Sequence, residues 1–192
     1  MASVINLLDH KRQVEQSVLI LVGLHDSDFS AFEQNSLQSV LSSCQQILAW
    51  ARAARMSIAF VRGMPPTTSI SEPRTYPTWL KGFEPKRNDM IFDVTRASCY
   101  SNIEFAQAME YTGGNFAIAG LFGETICLAT AIDAYHRRHD FTYLSDASAC
   151  RNNGAIPAAA FHDAVSQIMS VYGRVMEGAR WSRSLSSNRR IQ

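Results

Sequence analysis

No run of apolar residues in the 192-residue chain is long enough to cross a bilayer. Nor does any stretch show the ordered regions of a secretory signal. Met1–Gln13 comes nearest, with Val4, Ile5, Leu7 and Leu8, but Asp9, His10, Lys11 and Arg12 follow at once. A short amphipathic helix or arm is therefore expected over residues 1–16. Charge of one sign is also lacking: 18 Lys and Arg oppose 17 Asp and Glu, a net charge of +1. No global field recruits nucleic acid or a membrane surface, so neither is expected as a partner. The four cysteines, Cys44, Cys99, Cys127 and Cys150, include no CxxC pair. Without an export signal they are expected as free thiols in a reducing cytoplasm. Neither an internal repeat nor a linker marks a second domain, and one domain is expected over residues 17–179. Residues 180–192, with Arg180, Arg183, Arg189 and Arg190 and no acid, are expected to form a basic, solvated tail.

What is present is an ordinary globular composition, 46% apolar and 18% charged, with enough length for a real core. Ser17–Val22 is a continuous apolar run, the pattern of a strand covered on both faces. Phe32–Arg55 carries Leu37, Val40, Leu41, Cys44, Ile47, Leu48 and Ala51 at helical spacing. Strands are expected at Ser57–Val61, Asp89–Val94, Asn115–Ala119 and Asp140–Leu144, with a short sixth at Gly173–Met176. Helices are expected at Asn102–Thr112, Leu128–Arg138 and Ala155–Val171, the last with Pro157 in its first turn. This alternation predicts an α/β fold: a three-layer α/β/α sandwich around a mostly parallel sheet of about six strands. In such sheets ligands sit beyond the carboxyl ends of the strands. The loops starting at Gly23, Arg62, Val94 and Gly120 are expected to converge there. Thr67–Arg87 has no period, several breakers and the exposed-looking Tyr76, Trp79 and Phe83. It is expected to cover a pocket or to pack on a second subunit.

Gly120–Ala134 holds the most suggestive residue. Cys127 follows a glycine-containing strand-to-helix turn and falls in the first turn of the next helix. Unpaired N–H groups and the positive end of the helix dipole favour a thiolate at such a place, and the same N–H groups can hold an oxyanion. The bland alternative is a buried core thiol packing as a small hydrophobe.

Four stretches resemble the isochorismatase-like cysteine hydrolases, which include nicotinamidases, carbamoylsarcosine amidohydrolases and isochorismatases. They are VLILVGLHDSDF (Val18–Phe29), DMIFDVTRASCYSNIEF (Asp89–Phe105), Asn115–Ala134 with its Cys127, Thr130, Ala131 and Ala134, and TYLSDAS (Thr142–Ser148). The resemblance implies a chemistry of Asp, Lys and Cys: base, charge stabiliser and nucleophile attacking an amide-type carbonyl. Carried over, the nucleophile falls on Cys127, the Asp on Leu24 and the Lys on Val94. The family's Asp-x-His zinc pattern has no counterpart in Arg62–Thr68, so no metal and no cofactor is expected. Such a chain is also not expected to act on isochorismate. A non-proline cis peptide is implied near Phe122–Gly123, with the N–H groups of that turn aimed inward.

Candidates to replace the missing partners are His25 and Asp26, which follow Leu24 directly, while Asp28 and Phe29 read as structural. Arg62 is the candidate positive group of a substrate pocket, with Trp79 beside it; Asp93 points away from Val94. Two functions follow. One is a divergent hydrolase of a small amide, ester or carbamoyl-type substrate, acting through Cys127. The other is a degenerate member that binds a small molecule or a partner without turnover. A homo-oligomer is expected, with Tyr76, Trp79 and Phe83 as a candidate contact.

Overall fold

Alternation along the first strand divides the core in two. Val18, Ile20 and Val22 enter one packed cluster and Leu19 and Leu21 another, as a two-residue period requires when both faces are covered. In the computed structural model, which describes residues 17–26, 29–64 and 75–188, this strand (β1, Val18–Val22) lies inside a six-stranded sheet. The others are β2 (Ser57–Gly63), β3 (Met90–Val94), β4 (Asn115–Gly120), β5 (Asp140–Ser148) and β6 (Arg174–Met176), in the order β3-β2-β1-β4-β5-β6. Every neighbouring pair is parallel. The helices are α1 (Gln34–Ala53), α2 (Ile103–Tyr111), α3 (Leu128–His136), α4 (Ala158–Tyr172) and α5 (Gly178–Asn188).

The two clusters belong to the two faces of the sheet. Leu37, Val40, Cys44, Ile47, Leu48 and Ala51 of α1, with Trp181 of α5, pack with Leu19 and Leu21. Phe105 and Met109 of α2, Ala131 and Ala134 of α3, and Val165 and Met169 of α4 pack with Val18, Ile20 and Val22. The result is the expected three-layer sandwich, its sheet parallel throughout. Strand order reverses between β1 and β4, which puts the crevice for a ligand at their carboxyl ends. Among the described residues no helix is long and apolar enough to cross a membrane.

Several local expectations are corrected. β5 does not stop at Leu144: Ile118 pairs with Tyr143, but Gly120 pairs with Ser148, so β5 bulges over residues 145–147 and then resumes. Pro157 precedes α4 as its N-cap instead of lying inside its first turn. Phe83, read as exposed, is buried in the α1-side core, and Trp79 is half-buried and bridged to His25; only Tyr76 is open. Single anchoring side chains hold that connection, which is why it has no period. The segment read as a tail begins as α5, whose Trp181 packs edge-on against Trp50 at 5.3 Å. Residues 1–16, 27, 28, 65–74 and 189–192 lie outside the described structure, and with them the expected arm, Asp28, Arg189 and Arg190.

β4 leaves the sheet over the end of β1. Leu121 donates its N–H to the Val22 carbonyl at 2.8 Å, and Gly120 adopts φ +116°. A Cβ at residue 120 would collide with the Val22 carbonyl oxygen, so only glycine fits. Gly120→Ala is expected to lower stability by about 3 kcal/mol or more, strain and overlap combined. Gly113→Ala, with φ +82° and nothing near its Cβ, is expected to cost only about 1 kcal/mol. Urea midpoints of the two variants compare them directly.

Candidate active site

At the end of β1, Gly23 takes φ +71° and donates its N–H to the Val61 carbonyl at 2.9 Å. That turn sends Leu24 into the α1-side core, fully buried with Leu121 and Phe32. Val94, at the end of β3, is buried in the opposite core with Cys127 and Cys99. The positions that the resemblance implies for base and cation therefore hold apolar side chains packed on different faces of the sheet.

His25 and Asp26 run alongside the Trp79 segment. The Leu24 carbonyl accepts from the Leu80 N–H at 3.1 Å, and Asp26 donates its N–H to the Thr78 carbonyl at 2.6 Å. The Asp26 side chain is exposed. His25 is 4% exposed and stands edge-on to the Trp79 ring at 6.2 Å. Its Nδ1 meets the Asp26 carbonyl at 3.3 Å. A carbonyl only accepts, so Nδ1 carries the proton. Nε2 is left as a buried lone pair with no hydrogen-bond partner among the described residues. Burial, reinforced by the Arg62 charge, holds the His25 pKa below its ordinary value, against the opposing effect of the Asp26 carbonyl.

Arg62 is committed elsewhere. Its Nε and Nη2 donate to both carboxylate oxygens of Asp93, at 2.6 and 3.2 Å, across the β2–β3 register. Tyr76 and Trp79 lie over the guanidinium at 4.6 and 5.1 Å. Arg62, Trp79 and His25 thus share one neighbourhood, with the positive charge already paired.

The turn after β4 is wound wider than an α-helix. Phe122 adopts the left-handed conformation, φ 63°, and Gly123–Cys127 form a π-helical turn in which the Cys127 N–H donates to the Phe122 carbonyl at 3.3 Å. The implied cis bond at Phe122–Gly123 is absent: no peptide bond is cis among the described residues. The positive φ at Phe122 redirects the chain in its place. The Cys127 N–H is consumed within the turn and is not free to hold an oxyanion. Cys127 itself is 0% exposed, and its sulfur meets one polar atom among the described residues, the Leu121 carbonyl at 3.9 Å. Burial, then the neighbouring thiols and Glu124, push its pKa well above the ordinary thiol range.

A second cysteine lies at the same turn. A Cβ on Gly123 would fall 2.6 Å from the Tyr143 hydroxyl and 3.1 Å from the Cys150 sulfur. Gly123 donates its N–H to the Ala149 carbonyl at 2.9 Å, pinning the end of β5 to the turn. The Cys150 sulfur stands 3.7 Å from His162 Nδ1, and His162 Nε2 meets the Ser145 carbonyl at 3.1 Å. Glu124 accepts from Arg151 Nε at 2.7 Å and from the Arg151 N–H at 3.3 Å. Beside them opens a cleft of about 340 Å³ lined by Ala31, Glu124, Arg151, Asn152, Asn153 and Phe161. Burial and the Glu124 carboxylate push the Cys150 thiol up to about 12, against a lowering by the Glu124 N–H. Among the described residues no group of histidines, cysteines and carboxylates is arranged to hold a metal ion.

A family model for the isochorismatase domain matches residues 17–177. This chain belongs to the isochorismatase family. Solved structures share the fold at low identity. A cysteine hydrolase from Pseudomonas syringae pv. phaseolicola 1448A is 18% identical with TM-score 0.79, covering 90% of this chain and 93% of its own. An isochorismatase from Pseudomonas putida KT2440 is 17% identical with TM-score 0.73, over 86% and 90%. The MAR1 ribonuclease of Caenorhabditis elegans is 17% identical with TM-score 0.67, over 88% and 80%. No curated protein sequence matches the chain at a significant level.

The pairing of Cys150 with His162 escaped the sequence reading. They lie twelve positions apart with Pro157 between them, and only the bulge of β5 reveals that they meet. Two tests follow. In the folded protein Cys127 is expected to resist iodoacetamide near pH 8 and to react at the ordinary thiol rate once urea unfolds the chain; peptide mass mapping reads the site. His25 gives an acid-side signature. Its folded pKa lies below 6.5, so the unfolded chain takes up the proton first as pH falls and stability is lost below that value. The thermal midpoint is expected to drop between roughly pH 7 and 5.5, and to drop less in His25→Gln.

Proposed function

We propose that this isochorismatase-family protein is a degenerate member at its Cys127 site, and that it binds a small polar molecule in the cleft beside Glu124 and Arg151 without turnover at Cys127. One observation carries the reading: the Cys127 sulfur is fully buried, with the Leu121 carbonyl as its sole polar contact among the described residues. A thiol with no base is almost wholly un-ionised at neutral pH, and one raised further by burial still more so. The cleft supplies what a small ligand needs: a carboxylate, a guanidinium, two asparagines and one aromatic face.

The competing reading is hydrolysis of an amide, ester or carbamoyl compound through Cys127 with His25 as base. In its favour stands the buried, unpaired Nε2 of His25. Against it, the titratable neighbours of that imidazole are Arg62, Asp26 and Asp93, whereas those of Cys127 are other thiols and Glu124. A homo-oligomer belongs to this proposal as well, with Tyr76, which is 48% exposed, as the open residue of the aromatic segment.

Turnover of a panel of small amides and carbamoyl compounds tests the two readings. Wild type and Cys127→Ala are expected to agree within about twofold, whereas loss of a triad nucleophile removes several powers of ten. Activity abolished by Cys127→Ala would overturn the degenerate reading.

A further inference from the structure

We propose that Cys150 and His162, which lie behind the cleft walls formed by their neighbours Glu124, Arg151 and Phe161, form a thiol centre of their own, in which His162 takes the proton of Cys150 as its sulfur attacks a small, neutral acyl donor that enters from the cleft. The inference rests on the reading that this cleft takes a small molecule, and it is independent of Cys127.

The tautomer of His162 follows from its partners. The Ser145 carbonyl can only accept, so the proton of neutral His162 lies on Nε2, 3.1 Å away. Nδ1 is then a lone pair, and it faces the Cys150 sulfur at 3.7 Å. This is the arrangement a thiol nucleophile requires: a base in reach and a third group fixing the orientation of that base. Cys127 has neither. Glu124, in the first turn after β4, acts on the same sulfur in two senses: its carboxylate disfavours the ionised form, and its backbone N–H offsets part of that.

The charged and titratable groups around the centre come from three elements. Glu124 is contributed by the π-helical turn, Tyr143 by β5, and Arg151 by the loop that follows β5. Glu124 and Arg151 neutralise each other at 2.7 Å, so no net positive charge draws in an anion, and the carboxylate repels one. That electrostatic balance selects a neutral ester or thioester over an acid. With the thiol held in its neutral form by burial, proton removal must accompany attack, and this is the part assigned to His162.

The step balances without a co-reactant. The S–H proton passes to His162 Nδ1 as the sulfur–carbon bond forms. The tetrahedral adduct then collapses with cleavage of the carbon–oxygen bond, and the alcohol departs with the proton returned from His162. The acyl group remains on Cys150 as a thioester.

p-Nitrophenyl acetate is the probe, with nitrophenol release read as a burst and the acetyl group located by peptide mass mapping. The acetyl group is expected on Cys150, and Cys150→Ser is expected to abolish the burst. His162→Gln retains a side-chain amide that can donate to the Ser145 carbonyl but cannot take a proton; its burst rate is expected to fall by about a hundredfold or more, the usual scale of a lost general base. Circular dichroism and the urea midpoint of the same variant separate a lost base from a lost fold. A burst rate in folded His162→Gln within about twofold of wild type would overturn the assignment of the base. Absence of acetyl from Cys150 would overturn the centre itself. Acetyl found on Cys127 would overturn the reading in the preceding subsection as well.

Discussion

The Val22 carbonyl sets the geometry of the whole carboxyl end of the sheet. It accepts the Leu121 N–H at the point where β4 crosses the end of β1, and it occupies the space that any side chain at residue 120 would need. From that crossing follow the left-handed Phe122 and the π-helical turn. Ala149 then ties the end of β5 to the last residue of β4 and to the first residue of the turn, donating to the Gly120 carbonyl at 3.0 Å and accepting from Gly123 at 2.9 Å. Two cysteines, 127 and 150, are brought to one turn by these few backbone bonds. Which of them can do chemistry is then decided by neighbours. Both are buried in one core cluster, but Cys150 has an imidazole at 3.7 Å and the cleft-lining Glu124 and Arg151 beside it, whereas Cys127 has a carbonyl at 3.9 Å.

Elements whose side chains repeat were legible in the sequence. The uninterrupted run of β1, the stripe of α1 and the strand–helix alternation led to the three-layer parallel sandwich, because periodic burial is a property of neighbouring residues. The site was less legible because it depends on single backbone torsions. Nothing in the apolar pattern says that φ +71° at Gly23 turns Leu24 to the far face, or that β5 slips its register between Tyr143 and Ser148. Phe83 was misread for a related reason: a lone aromatic among breakers has no periodic neighbours to declare it buried. The cysteine of the resembling motif was legible by position, while its surroundings were not.

Burial sets a common baseline for the four thiols, and their neighbours distinguish them. Cys44, Cys99, Cys127 and Cys150 are all buried, and desolvation is the leading cause of the upward pKa shift at each. Cys44 donates its S–H to the Ala147 carbonyl at 3.1 Å, tying α1 to the end of β5. Polar side chains near the turn are similarly occupied with structure. Thr130 accepts from the Cys99 N–H at 2.9 Å and donates to the Ile126 carbonyl at 2.7 Å, joining the loop after β3 to the turn. Asn102 caps α2 through the Phe105 N–H and holds the Asp93 carbonyl, both at 3.0 Å.

The turn at Gly23 also bears on reversibility. If an ancestor carried the family's Asp and Lys, two substitutions would not recover it. An aspartate at 24 would be buried among Phe32, Leu121 and the α1 side chains, and a lysine at 94 among Phe92, Cys99 and Ile126 across the sheet. Each would be a charge without a partner in an apolar core, the costliest kind of burial. The way back would first require the backbone at the end of β1 to swing residue 24 to the other face, against the Gly23–Val61 hydrogen bond and the Phe122 ring that covers Gly23. The main chain at the end of β1 thus decides what residue 24 can be, since the turn at Gly23 commits that position to the α1-side core.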